Sequence, residues 1–487
     1  MTDGESAPQP LDRNLALHLE GSVVNGLEKW QVSTGLTLTY DRWMTEGRTR
    51  APVAVVLVKG PQLPPLKIIL KACPPERLTS REPRLHAQAL SGSPSEFVNR
   101  HLVDQPFETI ECEDKWRVLF QSIAGDSLRL VRPLSSVLQD EGLPELVEYV
   151  AKSLLQGWNP EFDTRKVTPY ELLRSDLGSK VDRNGPLAKF MQEQGIADTT
   201  WVRFSSDLGA VVPNAILWAL DSSLWPPETE GFWAHFGHSH GDLHPGNVLI
   251  QVDPAPRAND FRLIDLSAYM PNGSLAKDLA HLYLSVIGEH LSSNPVRRKN
   301  LLALALGDSQ PSSLELRGLR EVVARVRRVG AAWQASTMKS RQDDWNDQTA
   351  LALVAGGLEF VGLRNLGLSQ RLWFLQLSCV ALGRYLERQN LNTPPADPAT
   401  VRVVGPLVDP EIELAVERLA ERCGDFKGTR SVVAVLMADL SPAASERASK
   451  FPWTAVMSFD PELDTTGSLA AARQVSGRVH RLIVSVR

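Results

Sequence analysis

The sequence predicts an α+β protein in which a strand-rich lobe precedes a helical lobe and a small C-terminal α/β unit. Three observations support this prediction. Residues 11–125 alternate between apolar and polar side chains with the period of strands, whereas residues 126–400 space their apolar side chains as helices do. Beyond residue 400, short apolar strands alternate with helical stretches. We therefore expect domains at 1–125, 126–398 and 399–487.

Composition predicts a soluble, cytoplasmic protein. The 487 residues are 43% hydrophobic and 22% charged, with a net charge of 52 − 57 = −5. No strongly basic patch is present, which argues against nucleic acid as a partner. The polar N-terminus is unlike a signal peptide, and no apolar run approaches the roughly 18 residues that a membrane span needs. Four scattered cysteines predict reduced thiols, namely Cys73, Cys112, Cys379 and Cys423.

One octapeptide indicates the chemistry. Residues 240–247 read HGDLHPGN and match the kinase catalytic-loop pattern H-x-D-L-x-x-x-N. In that pattern the aspartate, here Asp242, meets the substrate hydroxyl, and the asparagine five residues on, Asn247, holds a metal ion beside the phosphates. A second aspartate, Asp265, follows the apolar strand at 261–264, where a second metal ligand is expected.

These motifs resemble the aminoglycoside phosphotransferase and choline kinase family, distant relatives of protein kinases. The family writes its loop as H-G-D-x-x-x-x-N, as this chain does. The resemblance implies a two-lobed protein kinase-like fold that binds ATP between its lobes, with Mg²⁺ held by Asn247 and Asp265. Asp242 would accept the proton of an acceptor hydroxyl, and His240, in the same catalytic loop, is expected to brace the loop backbone.

The first two predicted strands are Leu36–Tyr40 and Val53–Val58. The hairpin tip between them, Glu46–Ala51, has a single glycine and lacks the G-x-G-x-x-G of a phosphate-covering loop. Arg48 or Arg50 would contact phosphate in place of backbone amides. Solvated hairpin arginines are an equal alternative.

The next strand, Leu66–Ala72, carries the predicted nucleotide lysine. Lys71 resembles the lysine of the Val-Ala-Ile-Lys strand of kinases and would reach the α and β phosphates. Strand alternation places Ile69 on the same face, where it would cover the adenine. Lys67 shares that face farther back and is the weaker candidate, and a pair of surface lysines is the alternative.

A glutamate on the following helix should hold Lys71. We prefer Glu82 in Arg81–Leu90, since its distance from Lys71 resembles the family better, and Glu96 is the alternative. Ser93 or Ser95 would cap the helix that carries Glu96.

The last strand of the small lobe, Trp116–Gly125, runs into a predicted hinge. The resemblance implies that backbone groups from Gln121 to Ile123 pair with the adenine edge. In the larger lobe, Asp278 fits the aspartate of the family's Asp-Leu-Ala helix, which braces the catalytic loop. Further helices are expected at Leu146–Leu155, Leu351–Leu363 and Trp373–Leu386.

A linker at Asn390–Pro398 separates the C-terminal unit and should tolerate truncation. Strands are expected at Val432–Met437, Thr454–Phe459 and Leu482–Val486, in a unit that is incomplete or packs on the kinase-like lobe. Such a unit would offer a surface to a protein partner.

The sequence thus favours an ATP-dependent phosphotransferase that acts on a hydroxyl acceptor, a small molecule rather than a protein. The alternative is a nucleotide-binding regulatory module, resembling the ternary-complex-associated kinase-like modules of bacterial conflict systems. A third reading, a metal-dependent hydrolase, would use the cluster His238, His240, Asp242 and His244.

Overall fold

The computed structural model has a mixed α+β fold, with a strand-rich N-terminal region followed by a mainly helical region, which confirms the predicted fold class. It describes residues 10–44, 51–75, 79–123, 131–138, 142–204, 207–227, 229–252, 257–292, 294–308, 316–337, 341–391, 402–404, 454–456 and 481–483. In this described part of the chain, no helix is both long and apolar enough to cross a membrane.

Helices are present near the predicted ranges Leu146–Leu155, Leu351–Leu363 and Trp373–Leu386, although the second begins nine residues earlier, at Gln342. The α-helices are Arg13–Ala16 (α1), Gly21–Thr34 (α2), Glu82–Gly92 (α3), Ser95–His101 (α4), Leu143–Lys152 (α5), Pro169–Leu177 (α6), Pro186–Gln194 (α7), Ala215–Leu220 (α8), Leu275–Glu289 (α9), Pro295–Leu306 (α10), Arg317–Thr337 (α11), Gln342–Val361 (α12) and Leu368–Arg388 (α13).

The strands form one five-stranded sheet and several smaller ones. They are Thr37–Trp43 (β1), Val53–Gly60 (β2), Leu63–Cys73 (β3), Ile110–Glu111 (β4), Arg117–Ser122 (β5), Val131–Pro133 (β6), Asp163–Val167 (β7), Trp201–Phe204 (β8), Asp207–Pro213 (β9), Phe232–Ser239 (β10), Val248–Gln251 (β11), Arg257–Leu263 (β12), Met270–Ser274 (β13), Arg402–Val404 (β14), Thr454–Val456 (β15) and Arg481–Ile483 (β16).

The five-stranded antiparallel sheet has the order β1-β2-β3-β5-β4 and buries one face beneath α1 and α2. Ile68, Leu70 and Phe120 on that face are fully buried in the core that the two helices complete. Because side chains alternate along a strand, Ile69 and Lys71 lie on the opposite face. The register pairs Ile69 with Gln121, so β5 contributes to the same face.

Helices α3 and α4 join the sheet to the helical region. The His101 Nδ1 atom lies 3.1 Å from the Phe261 carbonyl oxygen, and the His101 ring stacks on that phenylalanine at 4.0 Å. Arg262 Nη1 donates to the carbonyls of Asn99 and Leu102 at 2.8 and 2.9 Å. Strand β12, which leads to Asp265, is therefore fixed to the N-terminal half of the molecule.

One predicted cap is wrong. Helix α4 begins after Pro94 without a side-chain cap, and Ser93 instead ends α3. The Ser93 hydroxyl accepts a hydrogen bond from the Trp158 indole at 2.7 Å, which occupies the group that was expected to cap α4.

The helical region contains strands that were not predicted, including β10, β11 and β13 around residues 240–247, whereas β12 agrees with the strand expected at 261–264. Strands β11 and β13 span only four and five residues, so their side-chain alternation gives little sequence signal. Helices α9 and α12 pack beside β10, α13 packs against α12, and all three carry much of the buried core.

The strands of the C-terminal segment pair in two places. Strand β14 pairs parallel with β8 of the helical region, and β15 pairs parallel with β16. The last pair agrees with the strands predicted near 454 and 482. The expected strand at 432–437 and most of the predicted linker lie outside the described residues. Cys73, Cys112 and Cys379 are free thiols.

Candidate active site

Lys71 and Glu82 form a buried ion pair between β3 and α3. The Lys71 Nζ atom lies 2.7 and 2.6 Å from the two carboxylate oxygens of Glu82, and both residues are buried. Burial disfavours the ammonium charge, but Glu82 and Asp265 outweigh it and raise the pKa of Lys71. Glu82 is thus the glutamate that forms an ion pair with Lys71. Glu96 lies elsewhere, along a polar cavity beside Arg100.

Lys67, the weaker lysine candidate, points to the surface. Its ammonium lies 3.0 Å from Asp41 Oδ1, and half of its side chain is exposed. The two lysines share a strand face, but only Lys71 lies beneath α3 at the junction with the helical region.

Asp265 faces Lys71 from the helical region, with its Oδ2 atom 3.8 Å from the lysine nitrogen. Its backbone is left-handed, with φ = 58°, which a residue other than glycine rarely adopts. Burial opposes the carboxylate charge, but Lys71, the hydrogen bonds from Ser267 and nearby His240 together outweigh it, so the pKa of Asp265 lies below its usual value. Its Oδ1 atom is buried and has no hydrogen-bond partner within the described structure.

The loop that carries HGDLHPGN is held at its start by Asp278 of α9. The Asp278 carboxylate accepts from the backbone N–H groups of His240 and Gly241, at 2.6 and 3.0 Å. Gly241 has φ = 78°, and a β-carbon there would overlap the Ala268 carbonyl oxygen. The predicted bracing contact of Asp278 is present in the structure.

His240 is buried, and both nitrogens of its ring meet backbone atoms. Its Nε2 lies 2.9 Å from the Ile264 carbonyl oxygen, and its Nδ1 lies 3.4 Å from the Asp242 amide. A neutral ring that donates through Nε2 and accepts at Nδ1 satisfies both contacts. These contacts fit a bracing role, so we assign His240 no chemical step.

The loop also lies against the strand that ends at Asp265. The Ile264 N–H donates to the Asn247 carbonyl at 3.0 Å, next to the contact between Ile264 and His240. The Asn247 side-chain amide donates to the Asp242 carbonyl at 2.9 Å. These bonds hold Asn247 beside Ile264, the residue before Asp265, while the Asp242 side chain is 48% exposed.

The donor set fits Mg²⁺. Magnesium prefers oxygen ligands and is bound in phosphate sites by one or two carboxylates together with substrate phosphates. The unpaired Oδ1 atom of Asp265 and the amide oxygen of Asn247 are ligands of this kind.

The predicted adenine contacts are only partly described. Ile69 is half-buried opposite Gln121. The buried Gln121 side chain lies 3.4 Å from His86 of α3, and the N–H of Ser122 donates to the Asp104 carbonyl. Of the predicted hinge residues, Ile123 is the last that the structure describes, and Arg48 and Arg50 lie outside the described residues.

The histidines of the hydrolase alternative contact separate partners. His238 Nδ1 lies 2.7 Å from the Tyr269 hydroxyl, and His244 Nδ1 accepts from the Gly246 amide at 3.0 Å. Across the described ranges, no group of three or more histidine, cysteine, aspartate or glutamate side chains is arranged to hold a metal. The geometry therefore does not support a zinc-type cluster.

Sequence analysis missed a buried network behind Asp242. The His281 ring lies between Asp242 and Glu359, at 3.4 and 2.9 Å. Glu359 also pairs with Lys180 and Lys277. The only sequence signal was the position of His281, three residues after Asp278, which places both side chains on one face of α9.

No protein-family model matches this sequence, and no curated protein matches it either. Among solved structures, the chain is similar to a provisionally assigned aminoglycoside phosphotransferase from Ralstonia eutropha JMP134, with a TM-score of 0.37 and 11% identity. The match covers 76% of this chain and 99% of that one. A similarity at this level establishes no shared activity, so the functional conclusion rests on the geometry of the site.

Proposed function

We propose that this chain is an ATP-dependent phosphotransferase that moves the γ-phosphoryl group to a hydroxyl acceptor. The observation that carries the proposal is the contact between Lys71 and Asp265 at 3.8 Å, made across the junction of the two regions. The Glu82 pair and the hydrogen bonds from the catalytic loop to Ile264 hold the two residues there. A small molecule is the favoured acceptor, because the loop has the His-Gly-Asp form of small-molecule kinases.

Each residue has a separate task in this mechanism. Lys71 would bind the α and β phosphates, and Glu82 would fix its ammonium group. Asn247 and Asp265 would hold Mg²⁺, which supplies positive charge against the phosphoryl oxygens when bound. Asp242 would align the acceptor hydroxyl and accept its proton late, since a carboxylate is a weak base.

Two amide substitutions test these roles. Asp242→Asn should lower phosphoryl transfer by about 10²–10⁴-fold, because it removes the proton acceptor. Its affinity for a non-hydrolysable ATP analogue should be unchanged. Asp265→Asn should weaken magnesium-dependent binding of the same analogue, measured by calorimetry. Turnover is measured as ATP hydrolysis, alone and with a panel of hydroxyl compounds.

Equal behaviour of the two variants in binding and in turnover would contradict the separate roles. An intact protein that binds no nucleotide in the presence of magnesium would contradict the proposal as a whole.

The second candidate is a nucleotide-binding regulatory module. The observation that favours it is the parallel pairing of β14 with β8, which connects the C-terminal segment to the helical region. In that case nucleotide binding would alter this pairing without turnover. Tight ATP binding with no hydrolysis and no transfer to any compound of the panel would favour this module over the enzyme.

A further inference from the structure

His281 makes contact with the proposed catalytic carboxylate from behind. Its Nε2 atom lies 3.4 Å from Asp242 Oδ1, and its Nδ1 atom lies 2.9 Å from Glu359 Oε2. The histidine is buried, and Phe360 packs against its ring at 4.9 Å between centroids. The Nδ1 contact is a hydrogen bond, and the longer Nε2 contact is an electrostatic one.

Glu359, at the far end of this chain of contacts, is held by two lysines. Glu359 Oε1 lies 2.7 Å from Lys180 Nζ and 3.3 Å from Lys277 Nζ. Lys277 also donates to the backbone carbonyl of Asp176 at 2.6 Å. Burial opposes the charge on Glu359, but the two lysines together with His281 outweigh it and keep the pKa of Glu359 well below the usual value. Glu359 is thus a fixed anion that orients His281.

Helix α9 therefore holds the catalytic loop at two levels. Asp278 accepts from the loop's backbone N–H groups, and His281, one turn later on the same face, meets the Asp242 side chain. The backbone contact alone leaves the carboxylate free to rotate. Nearly half of the Asp242 side chain is exposed, so the nearby ring limits its motion on the buried side.

We propose that His281 is a positioning residue, which holds Asp242 Oδ1 and leaves Oδ2 for the acceptor hydroxyl. This inference rests on the proposed phosphotransferase function. In the step itself, the acceptor O–H bond breaks and its proton goes to Asp242 Oδ2. The acceptor oxygen forms a bond to the γ-phosphorus while the bond from that phosphorus to the leaving ADP oxygen breaks. His281 takes no proton in this step.

Two substitutions of His281 separate its two contacts. His281→Asn retains a polar group near the Nδ1 position, within reach of Glu359, but loses the reach to Asp242. His281→Gln extends an amide to the Nε2 position and retains that reach. We expect His281→Asn to lower kcat by about 100-fold, as a misplaced catalytic group does, and His281→Gln to recover most of this loss. The KM for ATP should stay unchanged in both.

A turnover of His281→Asn equal to that of the unmodified protein overturns the proposal. Equal losses in the two variants also overturn it, because they would indicate a role in folding alone. Thermal unfolding of both variants is measured in parallel.

A spectroscopic measurement tests the contact between His281 and Asp242 without an activity assay. In protein with ¹⁵N-labelled histidine, Asp242→Asn should shift the Nε2 resonance of His281. The resonances of His235, a buried histidine that contacts Thr164 instead, should not move. An unmoved His281 resonance overturns the contact itself. If the unmodified protein shows no transfer, the proposed function fails, and this measurement alone decides whether His281 holds Asp242.

Discussion

Gly241 shows how one residue fixes the backbone of the loop at 240–247. Its left-handed backbone, φ = 78°, turns the chain between His240 and Asp242, so that Asp278 accepts from two successive N–H groups. The Ala268 carbonyl lies where a side chain would begin. Both the conformation and the space require glycine.

Gly241→Ala should therefore destabilise the protein and lower turnover together. A left-handed alanine costs about 1–2 kcal/mol, and the overlap with Ala268 adds to this cost. Gly35→Ala is the matched control, because Gly35 has φ = 68° but no atom near the position of a β-carbon. Urea unfolding measures the free energy of unfolding of both variants. Equal losses of unfolding free energy would show that the Ala268 contact does not matter.

Asp176 predicts how stability depends on pH. Burial raises the pKa of its carboxyl to about 7, against 3.8 for an ordinary aspartate, and its two oxygens have no hydrogen-bond partner among the described residues. Between these values the folded protein keeps a proton that the unfolded chain has lost. The contribution of Asp176 to stability thus falls as the pH rises from about 4 to about 7.

Asp176→Asn should remove this decline, because an amide stays neutral. The free energy of unfolding of the variant, relative to the unmodified protein, should increase between about pH 4 and pH 7. Asp221→Asn is the control, since hydrogen bonds from Ser223 lower the pKa of that carboxyl and it stays ionised throughout this range. If the difference in unfolding free energy between Asp176→Asn and the unmodified protein did not change with pH, the raised pKa of Asp176 would be contradicted.

At the scale of elements, β14 changes where the chain can be cut. The sequence placed a tolerant linker at 390–398, but β14 lies beyond it and pairs with β8. Val404 on β14 is only 2% exposed and belongs to the core of the helical region. A cut before β14 removes this contact and leaves an open strand edge on β8.

A fragment that ends at Leu391 should therefore be less stable than one that ends at Val404. Loss of the buried valine alone accounts for about 1.5–3 kcal/mol. Thermal unfolding of both fragments and of the full chain provides the measurement, and ATP turnover of the longer fragment tests whether the site needs later residues. If the two fragments unfold at the same temperature, β14 contributes nothing to the stability of the helical region.

On the scale of the whole molecule, the proposed nucleotide site joins two separately packed cores. One lies between the sheet and α2, and the other fills the helical region. Lys71 and Asp265 lie at their junction, where α4 also contacts β12. A ligand bound there would stabilise both regions, since it binds only the folded state.

A magnesium–nucleotide complex should accordingly raise the Tm. At about 100 times its Kd, the complex adds roughly 2.7 kcal/mol to the stability of the folded protein. Lys71→Met should remove this increase, whereas Lys67→Met, on the same strand but paired with Asp41 at the surface, should retain it. An equal response of the two variants would exclude Lys71 as the phosphate ligand.

The sequence alone determined what depends on short spacing. The octapeptide at 240–247 specifies a compact loop, and alternation along β3 separates Lys71 from the buried face of the sheet. The sequence reduced the partner of Lys71 to Glu82, which was preferred, or Glu96, and the folded structure decided for Glu82. In each case the relevant residues lie within a few turns or strands of one another, so local geometry constrains their arrangement.

Tertiary structure alone decided the contacts between distant segments. His281 and Glu359 are 78 residues apart, and β14 meets a strand about two hundred residues earlier. No local period predicts such pairs, because they depend on how α9 packs against α12 and on which strand edge stays open. The setting of Asp242 between solvent and His281 is therefore a property of the folded chain, although the identity of Asp242 was readable from its motif.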